Sequence, residues 1–214
     1  MSAPQAEGME IRPVVLEGQV VRLVPLTRDH HPALSAVGLD PELWRWTTQV
    51  VTTPQQMAAY VEAALTDQTR GTALPFATCL RDGRVVGSTR FGNIDQANRR
   101  VEIGWTWIAR PWQRSAVNTE AKYLMLRHAF EQWGCLRVEL KTDALNQVSR
   151  RAILRLGAKE EGVLRKHMTT ETGRIRDTVY FSILDTEWPA VKDRLLAMLA
   201  QPTGPHSGPS PTSD

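Results

Sequence analysis

Cysteine, long apolar runs and an excess of one charge are all scarce in this chain. The two cysteines among its 214 residues, Cys79 and Cys135, lie far apart in sequence. They have neither the spacing of metal ligands nor the density of a disulfide-stapled secreted domain, so we expect no metal site. A reducing cytoplasm is therefore the expected compartment.

The chain also lacks an apolar stretch long enough to span a membrane, and no membrane partner is expected. The first ten residues, MSAPQAEGME, do not show the basic and then apolar segments of a secretion signal.

Charge is nearly balanced, with 26 Lys and Arg against 23 Asp and Glu and a net charge of +3. The basic pairs Arg99-Arg100 and Arg150-Arg151 are scattered, whereas a nucleic-acid-binding domain clusters its cations on one face. We therefore expect no nucleic-acid partner. The nucleic-acid-binding alternative would show a steep loss of affinity with added salt.

The length predicts one domain, and 42% hydrophobic with 23% charged residues is ordinary globular usage. We place this domain at residues 10–200, after a disordered N-terminus at 1–9. The tail at 201–214 is rich in Pro, Gly and Ser and has no apolar anchor, so disorder is expected there too.

Hydrophobic periodicity divides the domain into helices, a meander and a crossover. Thr53 followed by Pro54 predicts a helix start, and Asp82-Gly83 predicts a hairpin turn. In chain order we expect a strand at 20–26, helices beginning at Thr27, Pro41 and Pro54, strands at 76–80, 85–91 and 99–108, a helix from Thr119 or Glu120 to Trp133, a strand at 136–142, a helix at 146–156, strands at 162–169 and 176–184, and a last helix carrying Trp188, Val191, Leu195 and Leu199. This order predicts a mixed α/β sheet with one crossover connection.

Alternation assigns two faces to the strand at 99–108. One face is expected to carry Val101, Ile103, Trp105 and Trp107, and the other Glu102, Gly104 and Thr106. The helix that follows is apolar nearly all round, which predicts that it is buried.

The loop at 113–119 joins that strand to the buried helix. Free N–H groups and the helix dipole make such a helix N-terminus favourable for an anion such as phosphate. Arg114 could add charge-assisted hydrogen bonds, and Ser115 and Thr119 could add hydroxyl donors. The spacing alone leaves an ordinary strand-to-helix loop open as the alternative.

The window Gln113-Arg114-Ser115-Ala116-Val117-Asn118 resembles the cofactor loop of the GCN5-related N-acetyltransferases, the GNAT family. The motif of that family is Gln or Arg, two residues, Gly, one residue, and then Gly or Ala. Gln113 fits the motif, Ala116 replaces Gly, and Asn118 replaces Gly or Ala. The resemblance covers roughly residues 10–190 and is closest to the RimJ/RimL-like branch, which contains ribosomal-protein N-terminal acetyltransferases.

The resemblance implies a mixed, mostly antiparallel sheet of about seven strands with helices on both faces. Its fourth and fifth strands, here at 102–108 and 136–142, would splay into a V-shaped gap. In the family, the backbone near Trp107 and Ile108 pairs with the pantetheine arm of the cofactor. If Ala116 required φ > 0, Ala would be disfavoured there by roughly 1 kcal/mol.

The cofactor implied by the resemblance is acetyl-coenzyme A, used as a co-substrate. Residues from Gln113 through Val117 and Asn118 to Thr119 would hold its pyrophosphate. In this branch an Asn at the position of Asn146 contacts the cofactor, and a Ser at the position of Ser149 lies near the thioester sulfur, where it can hydrogen-bond or protonate the leaving thiolate. Simple capping of a helix start is the alternative for both residues.

The implied reaction is direct transfer of acetyl to a primary amine in a ternary complex. Glu102 is the first candidate for the general base, with a surface carboxylate paired to an Arg as the alternative. His167 is the second candidate, with a solvated hairpin residue as its alternative. A covalent route through Cys135 is disfavoured because no basic or acidic partner lies near it in sequence.

The acceptor is expected to be a protein N-terminus or a small-molecule amine. Trp44, Trp46, Trp105, Trp112 and His167 are candidates for lining its cleft, and core packing is the alternative for each tryptophan. Members of the family are often dimers, so a homodimer is an expectation by analogy. The alternative function is a non-catalytic module of the same fold that binds coenzyme A as a sensor.

Overall fold

A computed structural model describes residues 9–201, so the segments predicted to be disordered, 1–9 and 201–214, lie outside the described residues except for Met9 and Gln201. One sheet runs through this part of the chain, with its strands in the spatial order β1-β2-β3-β4-β5-β6-β8-β7. The strands are β1 (Leu16–Glu17), β2 (Val21–Pro25), β3 (Leu74–Leu80), β4 (Val85–Asp95), β5 (Arg100–Ile108), β6 (Arg137–Asp143), β7 (Lys159–Thr169) and β8 (Ile175–Leu184). The helices are α1 (His31–Gly38), α2 (Pro41–Trp44), α3 (Pro54–Thr69), α4 (Ala116–Arg127), α5 (Gln147–Leu156) and α6 (Trp188–Ala200).

The predicted mixed α/β class is confirmed, but the sheet has eight strands rather than about seven. The additional strand is β1, which pairs with β2 through Leu16 and Glu17 alone. Two residues are too few to show an alternating pattern, and β1 becomes a strand only because β2 lies beside it.

Pairing between β5 and β6 is parallel and short, whereas every other neighbouring pair is antiparallel. The β5–β6 register runs only from Arg100 opposite Arg137 to Glu102 opposite Glu139. Beyond Glu102 the two strands diverge, and β6 continues its pairing with β8 instead. This confirms the expected V-shaped gap.

A bulge in β5 overturns the predicted alternation at Trp105. Ser88 of β4 lies opposite Trp107 and Arg90 opposite Gly104, so two residues of β5 face one of β4. Trp105 takes a φ of 49°, and its side chain is 38% exposed. The extra residue reverses the faces beyond it, so Trp107 does not share the face of Ile103.

Two hydrophobic cores lie on the two faces of the sheet. The larger core packs α4 and α6 against one face and includes Ile103 and Ile108. The smaller core packs the helices α1 to α3 against the other face of β2 to β5 and includes Trp107. Among residues 9–201, the smaller core includes no residue of β6 or β8, and the buried residues of these strands include the polar Asp143 and Thr178.

Local sequence signals explain several helix ends. Thr53 and Gln56 form a capping box around Pro54 at the start of α3. Gly157 ends α5 with a φ of 107°, a conformation that favours glycine. Thr27 precedes a 3₁₀ turn at Arg28–His30 rather than α1 itself.

The buried helix α4 begins earlier and ends differently than predicted. It starts at Ala116 with Ser115 as its N-cap, not at Thr119 or Glu120, because the Ser115 hydroxyl accepts the N–H of Val117 at 3.3 Å. It ends at Arg127 and continues as a π-helical turn at His128–Gln132. Such a turn inserts a residue into the helical ladder, which periodicity does not reveal.

Glu120 fastens α4 to the β1–β2 turn. Its buried carboxylate accepts the backbone N–H groups of Gln19, Val20 and Val21 at 2.8, 2.7 and 2.7 Å. A Cβ on Gly18 would lie 2.3 Å from the same carboxylate, so the close approach requires glycine there. Among residues 9–201, no helix combines the length and the apolar character needed to cross a membrane.

We predict that Glu120→Ala lowers the free energy of unfolding by about 3 kcal/mol, because three backbone donors lose a charged acceptor. Urea unfolding of the purified variant measures the change. Glu62→Ala is the matched control, since Glu62 makes an exposed ion pair with Arg28 and its loss should change stability little. Equal stability of the two variants would contradict the anchoring role.

Candidate functional site

Two helix N-termini lie at the open end of the gap between β5 and β6. Because these strands are parallel, their carboxyl ends point to the same edge of the sheet. The loop after β5 leads into α4, and the loop after β6 leads into α5. Each helix start presents N–H groups without intrahelical partners, so this edge is favourable for anions.

The loop before α4 is held by its own side chains. Gln113 donates its side-chain N–H to the carbonyl of Ile108 at 2.8 Å, which ties the loop to the end of β5. Ser115 donates to the carbonyl of Trp112 at 2.6 Å while it caps α4. These bonds give Gln113 and Ser115 a role in shaping the loop.

Backbone strain in this loop lies at Arg114 and not at Ala116. Arg114 has a φ of 56°, whereas Ala116 is the first residue of α4 and has no positive φ. The expected penalty for Ala116 is therefore wrong, since a helical residue tolerates Cβ. Val117 is packed into the larger core, so only its backbone is left to face the loop. The Oδ1 of Asn118 is buried without a partner among residues 9–201.

A basic cleft of about 420 Å³ opens beside this loop. Arg114, Arg151 and Arg155 line it together with Ser115 and Thr119, and none of the described residues that line it is a carboxylate. Arg155 donates to the buried hydroxyl of Thr119 at 3.2 Å. Three guanidinium groups beside a helix N-terminus match the chemistry of a ligand with several phosphates.

Sequence reasoning missed Arg151 and Arg155 as members of this cleft. Their i, i+4 spacing places both on one face of α5, and that signal was available. Only the packing of α5 beside the loop at 110–115 shows that this face joins Arg114. The side chains of the Arg150-Arg151 pair therefore have different surroundings. Arg151 lines the cleft, whereas Arg150 forms a salt bridge with Glu160 at 3.1 Å.

Asn146 caps α5, as the capping alternative predicted. Its Oδ1 accepts the N–H of Ser149 at 3.0 Å. This bond leaves the Nδ2 donor of Asn146 and the half-buried hydroxyl of Ser149 at the same helix start, at the carboxyl end of β6. The roles of both residues toward a ligand stay predictions.

Glu102 lies at the inner end of the gap and is only 2% exposed. Its Oε2 contacts Lys141 Nζ at 2.9 Å and accepts a hydrogen bond from Asn93 at 2.7 Å. Lys141 also lies 5.6 Å from the ring centre of Trp105, whose other cationic neighbour is Arg90 at 5.0 Å. The partner of Glu102 is thus a lysine on the facing strand and not an arginine.

The opposite side of β5 carries a buried lysine that the sequence did not single out. Lys122 of α4 donates to the hydroxyl of Thr106 at 2.6 Å, and Thr106 lies 2.7 Å from the hydroxyl of Thr89. Burial lowers the pKa of Lys122 to about 7, and Glu102 opposes this shift. Lys122 thereby fixes the residue that follows the bulge.

A second cleft, of about 550 Å³, lies between the loop after α2 and the β7–β8 turn. Trp46 lines it with Arg45 and Arg174, whose guanidinium carbons lie 5.0 and 5.5 Å from the Trp46 ring centre. Glu171 closes one side, because its N–H bonds Thr48 O at 3.0 Å and its carboxylate accepts the N–H of Val50 at 2.8 Å.

The tryptophans predicted to line the acceptor cleft lie in different parts of the fold. Trp44 lines the second cleft but is buried, and it packs 5.5 Å from Tyr60 and donates to Gly38 O at 2.7 Å. Core packing therefore accounts for most of its surface. Trp112 packs against the larger core. Trp46 and Trp105 keep exposed surface on the side of the gap.

The two histidines His167 and His128 lie in different surroundings. His167 is exposed and its Nδ1 lies 3.1 Å from the Thr178 hydroxyl, with its ring 5.9 Å from Tyr180. His128 packs against Phe91 and Trp133. Burial lowers its pKa, as expected for a packed histidine.

Both cysteines are free and buried. Burial raises the pKa of Cys135 to about 12 and also raises the pKa of Cys79. A thiolate nucleophile at either position is therefore disfavoured at neutral pH.

Several known proteins are similar to this chain in sequence or structure. A family model described as Acetyltransferase (GNAT) domain matches residues 21–159. A Bacillus subtilis protein named "Putative ribosomal N-acetyltransferase YdaF" is 35% identical over 116 residues, which is 54% of this chain and 62% of that protein. The match thus spans under two thirds of that relative's own length.

Solved structures align over more of the chain. A GCN5-related N-acetyltransferase from Brucella melitensis has a TM-score of 0.84 at 32% identity, covering 92% of this chain and 90% of its own. Mycobacterium smegmatis RimJ, solved in complex with CoA-disulfide, has a TM-score of 0.72 at 27% identity, covering 86% of this chain and 91% of its own.

We predict that Lys122 makes stability depend on pH above neutrality. Its pKa is about 7 in the folded protein and about 10.4 in an unfolded chain, so between these values the unfolded chain binds more protons. Stability should therefore rise with pH in this window, by up to about 1.4 kcal/mol per pH unit. Lys122→Met should remove this part of the rise. Urea unfolding at several pH values from 7 to 9 measures it, and parallel profiles for the two proteins would contradict the assignment.

Proposed function

The chain belongs to the acetyltransferase (GNAT) family, and on that premise we propose that it transfers acetyl from acetyl-coenzyme A to a primary amine in a ternary complex. The observation that carries the proposal is the basic cleft of Arg114, Arg151 and Arg155 at the start of α4, the helix that follows β5 at the edge of the sheet where β5 and β6 diverge. The cleft supplies charge for phosphates, and the gap supplies unpaired strand edges for an extended arm.

In this proposal, the chain holds the co-substrate in two regions. The phosphates bind the three arginines and the N–H groups of residues 114–118 at the start of α4. The pantetheine arm enters the gap along the backbone at Trp107 and Ile108 and reaches Asn146. When bound, acetyl-coenzyme A supplies an activated acetyl thioester. An unpaired strand edge fits this arm because amide groups need hydrogen-bond partners wherever water is excluded.

The side chains around the gap have proposed roles in proton transfer. An alkyl amine is mostly protonated at neutral pH, so a base must take its proton before attack. Glu102 is the proposed base, because its Oε1 makes no hydrogen bond with the described residues while Lys141 holds Oε2. Ser149, at the start of α5, is proposed to donate a hydrogen bond to the leaving thiolate.

The proposed acceptor region is the second cleft beside Trp46, reached from the gap past Trp105. A protein N-terminus is the favoured acceptor, because the relative from Bacillus subtilis is named for ribosomal N-acetylation. A small-molecule amine is the other acceptor class. The non-catalytic alternative depended on backbone strain at Ala116. That argument no longer holds, because Ala116 is helical and unstrained.

We predict that Arg151→Gln and Arg155→Gln each weaken acetyl-coenzyme A binding about tenfold, because each removes charge-assisted hydrogen bonds to phosphate. Isothermal titration calorimetry measures the dissociation constants. Added salt should reduce the difference in affinity between each variant and the wild-type protein, because salt screens the charges. Arg84→Gln is the matched control, since Arg84 lies in the exposed β3–β4 turn beside Asp82. Wild-type affinity in both cleft variants would exclude this cleft as the phosphate site.

We predict that Glu102→Gln and Ser149→Ala lower kcat through different steps. Loss of a general base should reduce kcat about a hundredfold near neutral pH. That defect should shrink as rising pH deprotonates the amine, whereas the Ser149→Ala defect should persist. Thiol release against pH measures both profiles, and acetyl-coenzyme A affinity should stay at its wild-type value. Identical pH profiles of the two variants would contradict the division of roles.

A further inference from the structure

Arg176 of β8 is a buried cation with few partners. It is only 7% exposed, and its Nε donates to the Thr178 hydroxyl at 3.1 Å. Within residues 9–201 its terminal N–H groups make no hydrogen bond to another side chain or carbonyl. A guanidinium has five N–H donors, so this side chain retains most of its hydrogen-bonding capacity.

The nearest carboxylate does not neutralise Arg176 by itself. Asp143 is buried, and it already contacts Arg174 at 2.5 Å and accepts the N–H of Leu145 at 2.9 Å. Burial lowers the pKa of Arg176 and the positive charge of Arg174 acts in the same direction, whereas the carboxylates of Asp143 and Glu102 oppose this shift without cancelling it. A buried charge is stable only when it is paired and hydrogen-bonded, so a further anionic partner would complete this site.

Arg176 lies on the side of the sheet that carries the candidate base. Arg174 lines the cleft beside Trp46 and immediately precedes β8, and Arg176 shares a face of β8 with Thr178 and Tyr180. Thr178 and Tyr180 lie opposite Asp143 and Lys141 of β6, and Lys141 contacts Glu102. On this face the cations Lys141, Arg174 and Arg176 outnumber the carboxylates Glu102 and Asp143.

We propose that Arg176, assisted by Arg174, binds an acidic group of the acceptor, so that the preferred amines carry a carboxylate near the nucleophile. The proposal rests on the proposed acetyl transfer and adds the acceptor class to it. The ligand chemistry is a carboxylate that forms charge-assisted bonds with the guanidinium N–H groups. Its source is either a free amino acid or a peptide N-terminus followed by Asp or Glu. Polyamines are disfavoured, because they bring further positive charge to a cationic face.

The first experiment compares acceptors with the holoprotein and acetyl-coenzyme A. Short peptides identical except for Glu, Gln or Lys at the second position are assayed by thiol release, alongside free alanine and alanine amide, which differ in the carboxylate next to the amine. We expect kcat/KM for the acidic acceptor to exceed that for the neutral one about tenfold, with the Lys peptide lowest. The peptides and the free amino acids distinguish the two sources. Equal values across both series would overturn the proposal.

Variants of Arg176 test whether this side chain causes the preference for an acidic acceptor. Arg176→Gln should remove it and raise KM for the acidic acceptor while acetyl-coenzyme A affinity stays unchanged, and Arg176→Lys should retain part of it. Arg84→Gln should keep the wild-type ratio. If thermal melting shows that Arg176→Gln does not fold, Arg174→Gln is measured in its place, because its side chain is more exposed. A wild-type ratio in the folded variant would overturn the proposal.

A binding measurement separates this proposal from the proposed function. If no amine is acetylated, the acetyl transfer fails. Binding of the N-acetylated Glu and Gln peptides to the protein saturated with coenzyme A is then measured by calorimetry. Tighter binding of the acidic peptide to the wild type, lost in Arg176→Gln, would support the anion site on its own. Equal binding of the two peptides would overturn it.

Discussion

Three residue pairs hold β5 to β6, and the rest of the candidate site depends on where that pairing ends. Because β5 and β6 are parallel, their carboxyl ends and the starts of α4 and α5 meet at one edge of the sheet. Continuous pairing would close the gap and satisfy the backbone groups internally. Divergence after Glu102 instead leaves strand edges with free hydrogen-bonding groups, next to two helix N-termini. The bulge at Trp105 follows this point and sends Trp105 and Trp107 to the face away from α4.

The charged groups differ between the start of α4 and the inner end of the gap between β5 and β6. At the start of α4, Arg114, Arg151 and Arg155 form a cleft in which the described lining residues include no carboxylate. At the inner end of the gap, the Glu102–Lys141 pair is buried on one face of β5, while Lys122 is buried on the other. Burying a lysine at this position opposes stability, because desolvation disfavours its charged form. The buried lysine lies against β5, the strand that carries the proposed chemistry. There Lys122 fixes Thr106 beside the bulge.

Local signals identified much of the fold and the cofactor side of the site. Ser115, Asn146, Thr53 and Gly157 act within a few residues of themselves, so their preference for helix ends is visible in the sequence. The features that were missed depend on contacts between distant segments. Arg151 and Arg155 join Arg114 only when α5 packs beside α4, and Arg176 comes to the side of the sheet that carries Lys141 and Asp143 only through the pairing of β8 with β6.

The sequence alone determined the element order, most helix caps and the position of a helix start after the loop at 113–119, because each arises from short-range periodicity or from side chains bonding their own backbone. Tertiary structure alone decided the length of the β5–β6 ladder, the reversal of faces at Trp105, the unstrained backbone at Ala116 and the burial of Lys122, Arg176 and Glu120. These properties are set by register and packing between segments far apart in the chain. A shift of one residue in register reverses every later side chain, and no local pattern records such a shift.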